Sequence, residues 1–329
     1  MNCMLTIANK SNSADFIAFC YKNGMRDFRV NMAYENDAMN AIANLEKINK
    51  DISIFIDFPG IKQRIQLPPQ TSELELRKNM DLTVWTYPKD FPYITNMDSI
   101  RDKIREEQIL SFADGRIVST VSKIYNDKIS IRFKKIECAL RNNAGCSFLG
   151  NKDTAPSLSL QYCNSLLLHP VLQEMNGFKQ KWGVLSFVDN PDSIRTFVDT
   201  MHSRSILVMA KVETPNGVEN LIEISRCVDG ILIGRGDLKN LAGQQYKDYY
   251  KRVLSLFPAI PSKVQKGVGT FFLQNYAMTK KVLEDELAEI EELKKALSNF
   301  FMLSKEVVNS NYPYETVLLA KKITEESKK

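Results

Sequence analysis

Short apolar, β-branched runs alternate along this chain with longer stretches of helical periodicity, and that alternation restricts the possible fold more than any other feature. The runs are MLTIAN near residues 4–9, FRVNM at 28–32, ISIFIDF at 52–58, WGVLSFV at 182–188, and ILVMAKVE ending at Glu213. GILIGRGD ending at Asp237, KGVGTFF and NFFMLS follow. About eight βα units result, which predicts an α/β fold, a (β/α)8 TIM barrel. Helical stretches are expected through Phe16, Ala18 and Phe19, over 36–48 and over 161–176. Others should open at Asn190, Pro191 and Asp192, follow Glu213 with Asn216 as cap, run from Leu283 to Leu297, and begin near Tyr312 and Pro313. The charged stretch from Leu283 to Leu297 reads as a solvated face stabilised by Glu and Lys pairs.

The rhythm breaks after the third strand. Residues from about 66 to 155 instead hold short alternating runs such as RIVSTVSKI and KISIRFKKI joined by polar turns, with Asp114 and Gly115 suited to a tight hairpin. A small β domain inserted after the third strand is expected, giving barrel (1–65), inserted domain (66–155) and barrel again (156–329).

A chain of 329 residues accommodates a barrel of roughly 250 plus such an insert. The formal charge of +5 is spread out, with no block dense enough to mark a nucleic-acid or membrane tail, and it suits an anionic small molecule. Cys3, Cys20, Cys138, Cys146, Cys163 and Cys227 lie far apart without CxxC spacing, which fits a reduced, cytoplasmic protein. His169 and His202 are the only histidines, too few to build a structural zinc site with those cysteines. No apolar run approaches the roughly 20 residues needed to cross a bilayer.

In such a barrel the carboxyl ends of the strands surround the active site. Polar residues there are Arg29 and Asn31 on the second strand, Asp57 on the third, Lys211 and Glu213 on the fifth, and the turn Gly234–Asp237 after the sixth. Lys211 and Glu213 are two apart and share one strand face, and Asp237 is expected to end the neighbouring strand at a similar height. Two carboxylates and an ammonium would suit Mg²⁺, which accepts few protein carboxylates and completes its shell from substrate and water. Gly234 and Gly236 would let amides at the following helix start approach an anion. An ordinary ion pair at the barrel rim explains the same spacing, so both readings stand.

LVMAKVETPNGVENLIEISRCVDGILIGRGDL resembles the central block of the pyruvate kinase family over its whole length. FRVNM, IDFPGIKQR, SFADGRI and MLSKEVVNSNYPYETV resemble further family segments in the right order, so the similarity spans nearly the whole chain. The sequence stops after the last barrel helix, where the family's C-terminal regulatory domain would begin. By residue, the resemblance implies Glu213 and Asp237 as ligands of Mg²⁺ or Mn²⁺ and Lys211 beside a phosphoryl group that Arg29 also contacts. It implies the amides of Gly236 and Asp237 on a pyruvate carboxylate, with Gly234, Arg235 and Ser304 also at the substrate. Asn31, Asp57, Lys62 and Arg64 fall in the family's phosphate and monovalent-cation region.

Departures are specific. Ala33 and Phe58 stand where the family has a Ser and a Thr among its potassium ligands, and Lys62 stands where potassium-dependent members have Glu, so a potassium requirement is not expected. Tyr34 replaces a His, TIANKS replaces TIGPAS, FLGNKDT replaces a lysine-rich loop, and Phe272 aligns with a threonine near the enolate carbon. The resemblance therefore implies Mg²⁺-dependent chemistry on phosphoenolpyruvate or a pyruvate-like molecule, with phosphoryl transfer to ADP as the parent activity. A nucleotide partner and a homo-oligomer are compatible with it, and no nucleic-acid or membrane partner is expected. A diverged lyase or transferase with another second substrate, or a non-catalytic regulatory paralogue, are the alternatives.

Overall fold

The computed structural model describes residues 1–7, 12–49, 51–97, 100–269 and 271–326, without the side chains of 34–36, 114, 305 and 306. Eight parallel strands close into a barrel: β1 (Asn2–Ile7), β2 (Asp27–Asn31), β3 (Ser53–Phe58), β4 (Gln180–Ser186), β5 (Leu207–Val212), β6 (Gly230–Gly234), β7 (Gln265–Gly269) and β8 (Phe300–Leu303). The neighbours are consecutive, and β8 pairs with β1. Strands buried on both faces need continuous apolar sequence, which is why β3 and β6 read SIFIDF and GILIG instead of alternating with polar residues.

Strand alternation divides the apolar side chains between two cores. Leu5, Ile54, Ile56, Leu185, Val208, Ala210, Ile231, Ile233, Val268 and Phe301 join the larger core that includes the surrounding helices. Met4, Phe55, Trp182, Val184, Met209, Leu232, Phe300 and Met302 form a separate cluster, the filling inside the barrel. Phe55 stacks on Trp182 there, with ring centroids 5.3 Å apart.

Helix starts follow local chemistry. Ser13 caps Ala14–Lys22 through the Phe16 amide, and Asn190 caps the turn Pro191–Ser193 as expected. After β5 the cap is Thr214, whose hydroxyl accepts from the Gly217 amide at 3.0 Å. Asn216, expected as the cap, lies inside the helix Pro215–Glu219, because Pro215 already fills the first helical position. The single helix expected over 161–176 is divided into Leu160–Leu166 and Val171–Glu174, with Pro170 between them lacking the amide a continuous helix needs.

Between β3 and β4 the chain forms a seven-stranded sheet, largely antiparallel, and a separate two-stranded one. Ile109–Phe112 and Ile117–Ile124 are joined by a tight turn over Ala113–Gly115, where Gly115 has φ +89°. The Asp114 side chain lies outside the described residues. Phe112, Phe133, Phe148, Ile129 and Ile131 belong to this sheet's own core. No helix among the described residues is long and apolar enough to cross a membrane.

Candidate active site at the carboxyl mouth of the barrel

One step of strand alternation beyond the barrel filling, the same inward face turns polar. Met4 is followed two positions on by Thr6, Phe55 by Asp57, Val184 by Ser186, Met209 by Lys211, Leu232 by Gly234 and Met302 by Ser304. Thr6, Asp57, Ser186 and Ser304 are all buried. The sequence thus places a polar ring directly above an apolar plug.

Asp57 is the hub of this ring. Its Oδ2 accepts from Arg29 Nε at 2.7 Å and from Lys211 Nζ at 3.0 Å, while Oδ1 accepts from Ser186 Oγ at 2.9 Å. Arg29 Nη1 also donates to Thr6 Oγ1 at 3.0 Å. Burial alone raises the Asp57 carboxyl, but the Lys211 and Arg29 charges and their hydrogen bonds outweigh it and hold the group below its ordinary range.

Glu213, just past β5, is 4% exposed. Its Oε1 is 3.5 Å from Lys211 Nζ, and its Oε2 accepts from the Phe187 amide at 3.1 Å. Burial pushes its carboxyl up to about 7; Lys211 opposes this, while the Asp237 and Asp57 charges add to it. The carboxylate lies tight against the chain, since a Cβ at Gly234 would stand 2.6 Å from Glu213 Oε1 and 2.7 Å from its Cγ. Only glycine fits there with Glu213 in place.

Asp237 was expected to end a strand, but β6 stops at Gly234 and Asp237 lies in the first turn of the helix Arg235–Ala242. The run GILIG is β-compatible and RGDL is not, so the chain turns into helix three residues earlier than the apolar pattern implied. Asp237 Oδ1 accepts from Lys62 Nζ at 2.6 Å.

Other expected residues are placed elsewhere or left apart. The Arg235 side chain is fully buried and turns away from Asp57: it pairs with Glu289, donates to the Gly269 carbonyl and lies 4.1 Å from the Phe272 ring centroid. Arg64 donates to the Asn143 carbonyl at 3.0 Å within the inserted segment. Asn31 Oδ1 accepts from the Ala33 amide, fixing the turn after β2. Ser304 Oγ is buried and has no partner among the described residues. A Cβ at Gly236 would meet nothing within 4 Å, so the space on that side of the residue is open.

Phe272 is not at the mouth. It is 1% exposed, packed on Phe301 in the outer core beneath Arg235. Gly269 ends β7, so the residue directly after the strand is Thr270, which lies outside the described residues, as do 8–11 of TIANKS and the Tyr34 side chain. Thr6 and Ser186 were not singled out from sequence. Their signal was available in the alternation, because each stands two positions after an inward-facing core residue.

Among the described residues no group of three or more His, Cys, Asp or Glu could hold a metal ion. The remaining donor set still fits a hard divalent cation. Glu213 is raised chiefly by burial and further by the charge of Asp237, and Mg²⁺ accepts two protein carboxylates with other oxygens from ligand and water. Among the described residues this cluster holds no histidine or cysteine for a soft metal.

A closed parallel barrel with buried carboxylates, lysines and an arginine at its carboxyl mouth defines the class of (β/α)8 proteins whose ligand site lies at the strand ends. Residues 1–317 match the family described as pyruvate kinase, barrel domain, and the chain belongs to the pyruvate kinase family. The pyruvate kinase of Dictyostelium discoideum is 22% identical over 98% of this chain, which spans 65% of that protein. That of Thermococcus litoralis is 26% identical over 97% of the chain, with 67% of its own length covered. A solved pyruvate kinase structure from Cryptosporidium parvum matches 99% of this chain and 68% of its own with a TM-score of 0.78 at 19% identity, a likeness of fold. The chain therefore spans about two thirds of these relatives' length.

Proposed function

We propose that this chain binds Mg²⁺ or Mn²⁺ through Glu213 and Asp237 and acts on phosphoenolpyruvate or pyruvate, with phosphoryl transfer to ADP as the parent reaction. The observation that carries this reading is the buried Glu213 carboxylate, wedged against Gly234 between Lys211 and the helix that bears Asp237. Lys211, 3.5 Å from Glu213, is shared with Asp57, so it compensates the buried acid only in part and a second cation there is favoured.

A bound divalent cation would supply Lewis acidity toward a carbonyl or phosphoryl oxygen. The chain's own groups do the rest. Arg29 and Lys211, held in register by Asp57, present two fixed positive charges to a transferring phosphoryl group and need no reorganisation when charge develops. The amides at the start of Arg235–Ala242, open beside Gly236, would hold a carboxylate. Residues 66–155 act as a separate β domain beside the mouth, a reading supported by Gly145, whose backbone lies against Lys62.

Potassium is not part of this proposal. Phe58, which stands where the family has a hydroxyl, is fully buried against Phe197 and His169 and offers no oxygen. A soluble, cytoplasmic protein with no nucleic-acid partner completes the reading.

Calorimetric titration of Mg²⁺ with and without oxalate, an enolate mimic, tests the proposal. Metal binding that oxalate tightens, and that Glu213→Gln with Asp237→Asn abolishes, is the expected outcome. Unchanged affinity in the double variant would remove the assignment.

A further inference from the structure

We propose that Lys62 competes with the divalent cation for Asp237 and couples cation binding to the arrival of an anionic ligand. This rests on the cation site proposed above. Lys62 Nζ lies 2.6 Å from Asp237 Oδ1, and the two side chains are only 14% and 19% exposed. A charge-assisted contact this short and this well shielded neutralises the carboxylate when no metal is present. Two cations cannot share that oxygen without repulsion, and the repulsion is large in a partly desolvated site.

The lysine is also held from its far side. A Cβ at Gly145 would stand 2.9 Å from Lys62 Cε and 3.4 Å from Nζ, so the glycine leaves only enough room for the extended side chain. Gly145 is anchored in the inserted segment by its bridge to Arg64 and by its carbonyl, which accepts from the Ala113 amide at 3.0 Å. Lys62 itself follows β3 by a few residues, where the chain leaves the barrel. The Lys62 side chain therefore lies against both the barrel helix that bears Asp237 and Gly145 of the inserted segment.

A divalent cation that takes Asp237 Oδ1 must displace this ammonium, and one on Oδ2 is repelled by it, so the metal alone binds more weakly than the two carboxylates would allow. A released ammonium can then meet a ligand carboxylate or phosphoryl oxygen that arrives with the metal. Metal and anionic ligand consequently favour each other, and that coupling is reciprocal by linkage.

Mn²⁺ titrations followed by the EPR signal of the free ion, with and without oxalate, test this on the full chain. The variants are Lys62→Met and Lys239→Met; the latter removes an exposed positive charge from the same helix as Asp237. Lys62→Met is expected to bind Mn²⁺ alone about tenfold more tightly, the scale of one lost charge-assisted contact, and to lose most of the extra tightening oxalate gives. Lys239→Met is expected to stay within about twofold of the parent, because an exposed charge is screened. Lys62→Gln repeats the measurement should Lys62→Met fail to fold. Equal, measurable Mn²⁺ affinity in the parent and the Lys62 variants overturns the competition and leaves the cation site standing. A gain in Lys239→Met equal to that in Lys62→Met overturns it too, by showing a net-charge effect. No Mn²⁺ binding in any of these proteins overturns both the competition and the cation site.

Discussion

Lys211 and Asp57 form an ion pair at 3.0 Å, and the same Asp57 oxygen accepts from Arg29, so one buried carboxylate orients both of these cations. Removing it leaves two buried positive charges facing each other. Asp57→Asn is expected to destabilise the protein by about 3–5 kcal/mol, the usual cost of breaking a buried pair. Urea unfolding monitored by circular dichroism measures this, and a loss below about 1 kcal/mol would show that the pair is not the hub described here.

The two buried acids carry opposite pH signatures. Asp57 has a lowered folded value, so its stabilisation is complete above its ordinary 3.8 and is lost as pH falls through the folded value. Glu213 is raised from 4.5 to about 7, so the folded protein retains a proton that the unfolded chain releases. Stability in chelator should fall as pH rises across that window. Glu213→Gln is expected to flatten this decline and Asp57→Asn to flatten the acid limb. An unchanged slope between the two Glu213 values in Glu213→Gln would contradict the burial argument.

Gly234 admits the Glu213 carboxylate by lacking a side chain. Gly234→Ala introduces a carbon 2.6 Å from Glu213 Oε1, so Glu213 has to move. Mg²⁺ affinity is expected to drop at least about tenfold, more than stability changes would explain. Parent-like affinity would mean that the carboxylate is not used where it lies.

Arg235 serves the packing of the barrel wall. Glu289→Gln weakens the ion pair of a guanidinium surrounded by Phe272, Phe271 and Tyr250. Lower stability with unchanged oxalate and Mg²⁺ affinity is the expected result. A selective loss of oxalate binding would restore Arg235 to the substrate site.

Much of this architecture was legible because a parallel barrel writes its strands as apolar runs, and each of β1 to β8 overlaps a run visible in the sequence. Lys211, Glu213, Asp57 and Arg29 were legible as polar interruptions at the ends of those runs. Asp237 was found but placed on the wrong element, because RGD follows β6 without a helix breaker or a recognised cap. Phe272 was misassigned because sequence similarity fixes residue order but not where β7 stops, and the strand ends at Gly269. The fate of Arg235 was invisible from sequence, since its partner Glu289 lies on a helix that looked like a solvated acidic face. The Lys62–Asp237 pair joins residues 175 positions apart, a distance that no local pattern encodes.

Independence from potassium follows from Phe58 and Lys62. Any phosphoryl transfer by this chain is expected to run at the same rate in potassium and in tetramethylammonium chloride, as a steady-state assay would report. A rate increase of tenfold or more in potassium, about 1.4 kcal/mol of transition-state stabilisation, would show a cation site that these residues do not supply.

Glu213, Asp237 and Lys211 are together expected to support an enolate of pyruvate, and proton exchange reads that directly. Pyruvate incubated with the protein and Mg²⁺ in deuterium oxide is expected to exchange its methyl protons, followed by proton NMR. Glu213→Gln and Lys211→Met should each slow the exchange at least about a hundredfold, the scale of losing one preorganised charge at a reacting centre. Exchange that persists at the parent rate in both variants, or that is absent from the parent protein with Mg²⁺ bound, would contradict the account.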